Sequence, residues 1–150
     1  MKNTRGFFGI GIENTKTKAN IGTLWRSAYA LGAAFIFVIG ERYKKQASDT
    51  IKAPRYIPMY HYDTFEEFTK NIPDNCEVIG VEIDYSAKDL TIFNHPERAI
   101  YLLGAEDLGL TKEAIKRCNR LVQIESETCL NVSVAGSIIM YDRNLKRKKL

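Results

Sequence analysis

The sequence predicts an α/β fold, with a mostly parallel sheet that is covered by helices on both faces. Short apolar runs of strand length alternate with segments of helical spacing along the chain, and this alternation is typical of a parallel sheet with crossover helices. The run from 33 to 39 is apolar without interruption, as expected of a strand buried on both faces. With 150 residues, the chain is expected to form one domain, spanning residues 1–150.

The first part of the chain predicts a strand, a helix and a second strand. Gly6–Ile12 is a short apolar run, and the polar segment Asn14–Lys18 connects it to a helix over Asn20–Leu31. Gly32 is expected to end this helix, and Ala33–Ile39 forms the next strand. The apolar residues of the helix recur on one side at helical spacing: Ile21, Leu24, Trp25, Ala28 and Leu31.

The second part begins with a polar loop of 19 residues, Glu41–Met59, which contains two prolines. A loop of this length in a compact domain is usually functional or mobile. A short helix is predicted over Thr64–Asn71, with Asp63 or Thr64 as its cap. The remaining elements are two strands, a helix capped by Thr111, a strand and a final helix: Glu77–Ile83, Ala99–Leu103, Thr111–Arg117, Leu121–Ile124 and Asn131 to about Lys146.

The net charge of the chain, +4 from 22 basic and 18 acidic residues, is too small to establish nucleic-acid binding. The distribution of charge is more informative, because basic residues form two clusters. Either cluster is as consistent with a solvated surface as with a polyanionic partner. The clusters are Arg42, Lys44, Lys45, Lys52 and Arg55, and, near the C-terminus, Arg143, Lys146, Arg147, Lys148 and Lys149.

The three cysteines, Cys76, Cys118 and Cys129, are odd in number and lack CxxC spacing. They predict free thiols in a reducing compartment, without a zinc site or a disulfide framework. The longest apolar run, Ala28–Gly40, has 13 residues, fewer than the roughly 20 that a membrane span needs. No secretory signal is apparent, and we expect a cytoplasmic protein.

Three segments far apart in sequence contain residues suited to a binding site. Asn20 and Arg26 lie at the two ends of the first, Leu102–Leu110 carries two glycines and two acids after a strand, and Thr128–Gly136 opens the last helix. Strand ends of this kind hold ligands in open α/β sheets. None of them is a GxGxxG fingerprint, and Gly9-Ile-Gly11 lacks the third glycine, so a dinucleotide site is poorly supported.

In order and spacing, these segments resemble the three signature motifs of the SpoU–TrmH branch of the SPOUT RNA methyltransferases. Motif one corresponds to Asn20–Ala28, motif two to Leu103–Leu110, and motif three to Cys129–Ala135. The resemblance covers nearly the whole chain. It implies transfer of a methyl group from S-adenosylmethionine to a ribose 2′-hydroxyl of tRNA or rRNA, without a metal. It also implies a homodimer and a deep trefoil knot in the C-terminal part.

The resemblance also assigns residues to the cofactor and to catalysis. The cofactor pocket would be formed by Val81, Gly104, Ile124, Cys129 and Leu130. Catalysis would fall on Arg26, with Asn20, Glu106 and Asn131 holding the site together. Because a free guanidinium stays protonated, Arg26 is expected to organise the phosphate and the hydroxyl of the RNA first and to act as a base second. Gly104 is expected to let a ligand lie against bare backbone.

Cys129 stands where many members of this family have serine, and a thiol is the weaker hydrogen-bond donor. The departure leaves open any role that the serine hydroxyl has in those relatives. It also raises the alternative of a nucleophilic cysteine, which would need a nearby base. The only histidines, His61 and His95, lie outside the motifs, and we expect them to be structural or surface residues.

RNA recognition is expected to depend on the dimer surface, the Glu41–Met59 loop and the basic C-terminus, because no separate RNA-binding domain is apparent. Four tyrosines in or beside the loop suit either base stacking or core packing: Tyr43, Tyr56, Tyr60 and Tyr62. Two other functions remain open, a SPOUT enzyme that methylates an RNA base and a non-catalytic module that binds RNA or cofactor. The sequence does not name the RNA or the nucleotide.

Overall fold

The computed structural model describes residues 6–42 and 57–148. Its strands are β1 (Phe7–Glu13), β2 (Phe35–Ile39), β3 (Met59–Tyr62), β4 (Glu77–Val81), β5 (Lys88–Asp89), β6 (Arg98–Leu103) and β7 (Arg120–Gln123). Its α-helices are α1 (Lys18–Ala30), α2 (Phe65–Lys70), α3 (Lys112–Arg117) and α4 (Val132–Arg147), and a 3₁₀ turn covers Leu90–Ile92.

The seven strands form one sheet in the order β3-β2-β1-β6-β4-β7-β5. Every pairing between these strands is parallel, so the predicted parallel α/β architecture is confirmed. In a parallel sheet the carboxyl ends of all strands lie on the same side, which brings the loops after β1, β4, β6 and β7 together. The three predicted motifs lie on or next to these loops.

Two strands, β3 and β5, were not predicted from the sequence, and both are outer strands of the sheet. β3 overlaps the end of the predicted Glu41–Met59 loop, and Tyr60 in it is 47% exposed. β5 has two residues, Lys88 and Asp89. Edge strands with polar, half-exposed side chains lack the apolar run by which buried strands are recognised. Residues 43–56, most of the predicted loop, lie outside the described residues.

Helices cover both faces of the sheet, as predicted. On one face, α1 and α4 pack over β1 and β6, where Ile21, Leu24 and Ile139 join a buried cluster. On the other face, α2 and α3 cover a second cluster that includes Phe68 and Ala114. Trp25 and Leu31 pack against the first cluster while partly exposed, and so the predicted apolar side of α1 is confirmed.

The two glycines of β1 are explained by aromatic packing. A Cβ atom on Gly9 would overlap the ring of Phe35, and a Cβ atom on Gly11 would overlap the ring of Phe37. Both rings come from β2, the neighbouring parallel strand. The Gly-Ile-Gly sequence therefore makes room for side chains of the second cluster.

The last helix packs closely against the rest of the domain at Gly136. A Cβ atom there would lie 2.6 Å from a methyl carbon of Leu24 in α1 and 3.0 Å from one of Leu103 in β6. Asn131 caps this helix, since its side-chain oxygen accepts hydrogen bonds from the backbone N–H groups of Ser133 (2.9 Å) and Val134 (3.3 Å). The predicted cap is confirmed.

The predicted start of α1 is wrong. The helix begins at Lys18 with Thr17 at the cap position, and Thr17 makes no side-chain capping hydrogen bond. Asn20 is therefore the third residue of the helix. Its side chain is turned away from the backbone and bonds to other loops, as described below.

A buried polar network connects α4 to the segment before β6, near the amino ends of the strands. His95 donates from Nε2 to Asp142 (2.7 Å) and accepts at Nδ1 from the hydroxyl of Tyr101 (2.7 Å), a tautomer assigned from these partners. Arg143 donates to the same hydroxyl (3.1 Å) and to the carbonyl of Pro96 (2.6 Å). Burial lowers the pKa of His95 to about 4, against the opposing effect of Asp142, and raises the pKa of Tyr101 to about 12.

The lowered pKa of His95 predicts that the free energy of unfolding falls on acidification. Its folded pKa lies below the unfolded value of 6.5, so the unfolded chain binds the additional proton between these values and stability falls as the pH falls. Between pH 6.5 and 5, above the range in which carboxylates titrate, the free energy of unfolding should decrease by about 1–2 kcal/mol. Urea unfolding at a series of pH values measures this decrease.

The His95→Gln variant is the control, because glutamine keeps hydrogen-bonding capacity but does not titrate. It should show a flatter pH dependence over the same interval, whatever its stability at pH 7. A wild-type free energy of unfolding that stays constant or rises on acidification would contradict the assignment.

Candidate functional site

A cavity of about 330 Å³ lies at the carboxyl ends of β4, β6 and β7. All five residues predicted to form the cofactor pocket line it: Val81, Gly104, Ile124, Cys129 and Leu130. Three separate stretches of chain thus bring the predicted set together at one place. The parallel sheet explains this convergence, because these residues lie at the ends of neighbouring strands or in the loops that follow them.

The wall of the cavity combines aliphatic and acidic groups. Leu103, Val132 and Ala135 contribute apolar surface, whereas Glu106 and Asp107 place carboxylates at the border. An apolar pocket with a few placed polar groups is the usual form of a small-molecule site.

The loop after β6 is a tight turn in which Gly104 approaches the backbone of the same loop. A Cβ atom at Gly104 would overlap the backbone of Gly109 and Leu110, and Ala105 forms a bridge with Gly109. Gly104 lines the cavity as predicted, but our explanation for the glycine needs correction. The space beside its Cα is taken by the turn itself, which any side chain would force open.

Two carboxylates that the sequence analysis missed hold this loop at its far end. Glu82 accepts a hydrogen bond from the backbone N–H of Leu110 (2.7 Å). Glu13, 2% exposed, accepts from both the N–H and the hydroxyl of Thr111 at 2.9 Å each. An acid at the end of an apolar strand was the available signal for both residues, since a carboxylate that loses contact with water must be paired with donors.

Asn20, Glu106 and Asn131, one from each motif, form a continuous chain of hydrogen bonds. The amide nitrogen of Asn20 donates to Glu106, and the amide oxygen of Asn20 accepts from the amide nitrogen of Asn131 (3.0 Å). The backbone N–H of Lys16 also donates to Glu106, at 3.5 Å. The predicted association of these three residues is present, and it lies beside the cavity because Glu106 belongs to both.

Arg26 stands apart from this network. It is an exposed residue of α1 and does not line the cavity. No hydrogen bond or ion pair joins it to another residue in the described part of the chain. Its guanidinium is therefore available to an external anion.

The histidines give no support to a cysteine nucleophile. His95 is buried in the network around Tyr101, and His61 pairs with Glu41. Neither histidine lines the cavity beside Cys129. Cys129 is exposed, and all three cysteines are free thiols, as predicted. Burial raises the pKa of Cys118 to about 11.

The basic C-terminal cluster is partly structural. Arg143 is 4% exposed and lies over the ring of Phe8, 5.0 Å from its centroid. Lys146 pairs with Asp142 at 2.8 Å. Lys149 lies outside the described residues, as do Lys44, Lys45, Lys52 and Arg55 of the other cluster.

The two tyrosines of this group that the structure describes differ in their packing. Tyr62 packs against Phe37 and Phe68, with ring centroids 6.4 Å and 5.8 Å away. Tyr60 is about half exposed and packs edge-on against Phe35. Tyr43 and Tyr56 lie outside the described residues.

Within residues 6–42 and 57–148, no group of three His, Cys, Asp or Glu side chains is placed to hold a metal ion. In the same part of the chain, no helix has the length and apolar character that crossing a membrane requires.

Comparison with known proteins gives a family match over most of the chain. The model of the SpoU rRNA Methylase family matches residues 8–141. An uncharacterised tRNA/rRNA methyltransferase of Archaeoglobus fulgidus is 27% identical over 153 aligned positions, which cover 97% of this chain and 67% of that protein.

Two solved structures are similar in fold. The AdoMet-bound rRNA methyltransferase of Sinorhizobium meliloti has a TM-score of 0.82 and 21% identity, over 97% of this chain and 59% of that one. A structure concerned with 2-OH methylation of C/U34 on tRNA has a TM-score of 0.83 and 19% identity, over 99% of this chain and 100% of that one. This chain thus spans about three fifths of the Sinorhizobium protein but all of the second.

The two functions of Asn131, capping α4 and bonding to Asn20, can be separated by substitution. Asn131→Ala removes both and should cost about 1 kcal/mol of stability, whereas Asn131→Ser keeps a good cap and should cost much less. Chemical denaturation measures both variants. Equal losses would contradict this prediction, because they would show that the bond to Asn20 and not the cap stabilises the start of the helix.

Proposed function

This chain belongs to the SpoU rRNA methylase family, and we propose that it is an S-adenosylmethionine-dependent methyltransferase acting on a ribose 2′-hydroxyl of tRNA or rRNA. The observation that carries the proposal is the junction of the lined cavity with the hydrogen-bonded set Asn20, Glu106 and Asn131. The cavity would bind the cofactor. The polar side chains beside it would hold the place at which the ribose hydroxyl reacts.

The residues around the cavity suit S-adenosylmethionine. Val81, Ile124 and Leu130 offer aliphatic surface to a flat adenine, and a volume of about 330 Å³ is that of a small-molecule site. Glu106 and Asp107 place negative charge beside a net cationic cofactor. When bound, the cofactor supplies an activated methyl group on a sulfonium. The Sinorhizobium structure contains AdoMet, which supports the same cofactor here.

Arg26 is proposed to position the RNA. Its exposed guanidinium can bond a phosphate with two parallel hydrogen bonds, which orients the adjoining ribose. In-line displacement depends strongly on such orientation. Asn20 lies in the first turns of the same helix, so its bonds to Glu106 and Asn131 also fix the approach of Arg26 to the site.

The acceptor, a ribose and not a base, is the finer part of the proposal. It is supported by the structure concerned with 2-OH methylation, which this chain matches over its full length. A non-catalytic module is less well supported, because Asn20, Glu106 and Asn131 remain assembled beside the cavity. Base methylation is a distinct outcome of the experiment below.

A homodimer is proposed through the outer face of α4 and the adjoining part of α1. Exposed apolar side chains continue from the segment before α4 along the helix at three- and four-residue spacing: Leu130, Val134, Ile138, Tyr141 and Leu145. Thr23 of α1 and Leu31, directly after the helix, border the same surface. An apolar stripe of this kind marks an interaction site, and Leu130 connects it to the cavity. A strictly monomeric chain in sedimentation equilibrium at micromolar concentration would contradict the dimer.

The trefoil knot is a further part of the proposal. The segment between β4 and β6 runs outside β7, since β5 pairs with the outer edge of β7. Residues of that segment then accept hydrogen bonds from α4, as Phe93 and Glu97 do from Lys146 and Arg143. This supports a chain threaded through its own loop, and an experimental structure with an unknotted backbone would contradict it.

The single domain and the cytoplasmic location stay predictions.

The central test combines nucleoside analysis with the Arg26→Ala variant. Wild-type protein incubated with total RNA and S-adenosylmethionine should yield 2′-O-methylated nucleosides by mass spectrometry. Arg26→Ala should lower the rate by about a hundredfold or more, because it removes the group that positions the RNA. Its affinity for S-adenosylmethionine should be unchanged in calorimetry, because Arg26 does not line the cavity.

Arg98→Ala provides the control. Arg98 is also exposed, but it lies at the amino end of β6, whereas the cavity lies at the carboxyl ends of the strands. Its removal should leave the methylation rate unchanged. Base-methylated product would contradict ribose as the acceptor. Failure of the folded wild-type protein to bind S-adenosylmethionine would contradict the enzyme and favour the non-catalytic module.

A further inference from the structure

Arg42, in the segment after β2, makes a dense set of contacts beside the proposed site. Its two terminal nitrogens donate to the two carboxylate oxygens of Asp107, at 3.2 Å and 2.5 Å. Its Nε donates to the backbone carbonyl of Asn14 (2.8 Å), and its backbone N–H donates to the carbonyl of Thr15 (3.1 Å). Hydrogen bonding to Arg42 holds the pKa of Asp107 below its usual value, so this carboxylate is charged at neutral pH.

These contacts join the loops that deliver the site residues. Asn14 and Thr15 belong to the connection between β1 and α1, and α1 carries Asn20. Asp107 follows Glu106 in the loop after β6 and itself lines the cavity. The guanidinium therefore bridges the two loops whose separation determines whether Asn20 can reach Glu106.

The backbone of the first loop is bonded to the end of β2 and to the segment that follows it. Asn14 has a φ of +55°, a left-handed conformation that is uncommon for residues other than glycine. Its N–H donates to the carbonyl of Ile39 at 2.6 Å, and its carbonyl accepts from Arg42. Both polar backbone groups of Asn14 are thereby bonded to the end of β2 or to the segment that follows it.

We infer that Arg42 is a positioning residue, which acts through Asp107 and Asn14 to hold the loop after β6 in the shape that binds the cofactor. The inference rests on the proposed function, since the ligand concerned is S-adenosylmethionine. Arg42 does not line the cavity, so its effect on the ligand is transmitted by the loop. None of the three sequence motifs includes Arg42.

Positioning and simple electrostatics predict opposite effects on cofactor affinity when Arg42 is removed. S-adenosylmethionine is a net cation, so a field effect would make removal of Arg42 strengthen binding and removal of the Asp107 charge weaken it. If the two residues act as one bidentate pair, removing either partner weakens binding. The double variant should then bind the cofactor no more weakly than the weaker-binding of the two single variants.

Calorimetric titration with S-adenosylmethionine tests this on Arg42→Ala, Asp107→Asn and the double variant. Each single change should raise the Kd by about three- to fivefold, the range expected for loss of a partly exposed ion pair. The double variant should be no weaker than the weaker single variant. Arg42→Lys should not restore affinity, because an ammonium keeps the charge but not the fork or the bond to Asn14.

Arg120 offers a matched control. It forms a similar two-bond pair with Glu77, at 3.2 Å for both bonds, with side-chain exposures of 37% and 40% against 34% and 40% for Arg42 and Asp107. This pair lies at the amino ends of β7 and β4, away from the cavity. Arg120→Ala should destabilise the protein at least as much as Arg42→Ala and leave the Kd unchanged.

The outcomes separate this inference from the proposed function. A folded wild-type protein that does not bind S-adenosylmethionine contradicts the proposed function itself. Wild-type binding with an unchanged or lower Kd for Arg42→Ala contradicts the role of Arg42 alone, as do additive effects in the double variant. Equal weakening by Arg120→Ala would also overturn it, since general destabilisation would then explain the effect.

Discussion

The site depends on the side chain of Asn20, which bonds at the same time to Glu106 and Asn131. These partners are 86 and 111 residues away in sequence. A carboxamide is suited to this place because it donates from one end and accepts at the other, so a carboxylate and a second amide can be joined through it. Each such bond contributes only about 1 kcal/mol to stability. Its value lies in fixing the orientation of three loops.

The rest of the structure makes this contact possible. The parallel sheet brings the carboxyl ends of β1, β4, β6 and β7 together, and α4 packs against α1 so closely that a Cβ atom at position 136 would lie 2.6 Å from a methyl carbon of Leu24. Glu13 and Glu82 anchor the loop after β6 at Thr111 and Leu110. The polar network of His95, Tyr101 and Arg143 lies near the amino ends of the strands, away from the cavity at their carboxyl ends.

Much of this arrangement could be predicted from the sequence. Buried strands and amphipathic helices have strong periodic signals, and the caps Asn131 and Thr111 follow from local chemistry. The five pocket residues came from the family resemblance and not from periodicity. Edge strands β3 and β5 were missed because polar, short segments have no apolar run. The predicted start of α1 was wrong because asparagine is a residue type preferred at helix N-caps. The side chain of Asn20 instead bonds to Glu106 and Asn131. The contacts of Arg42 with Asp107 and of Glu82 with Leu110 join residues far apart in sequence, so a local pattern can mark such a residue but cannot identify its partner.

Hydrogen–deuterium exchange with and without S-adenosylmethionine tests the central claim most directly, since it reports which amides the ligand protects. If the loops of motifs two and three form the cofactor site, exchange should slow over residues 104–110 and 129–135. Amides in the region of His95 and Arg143 should be little affected. Protection confined to other parts of the chain, or a bound ligand that leaves both loops unchanged, would contradict the account.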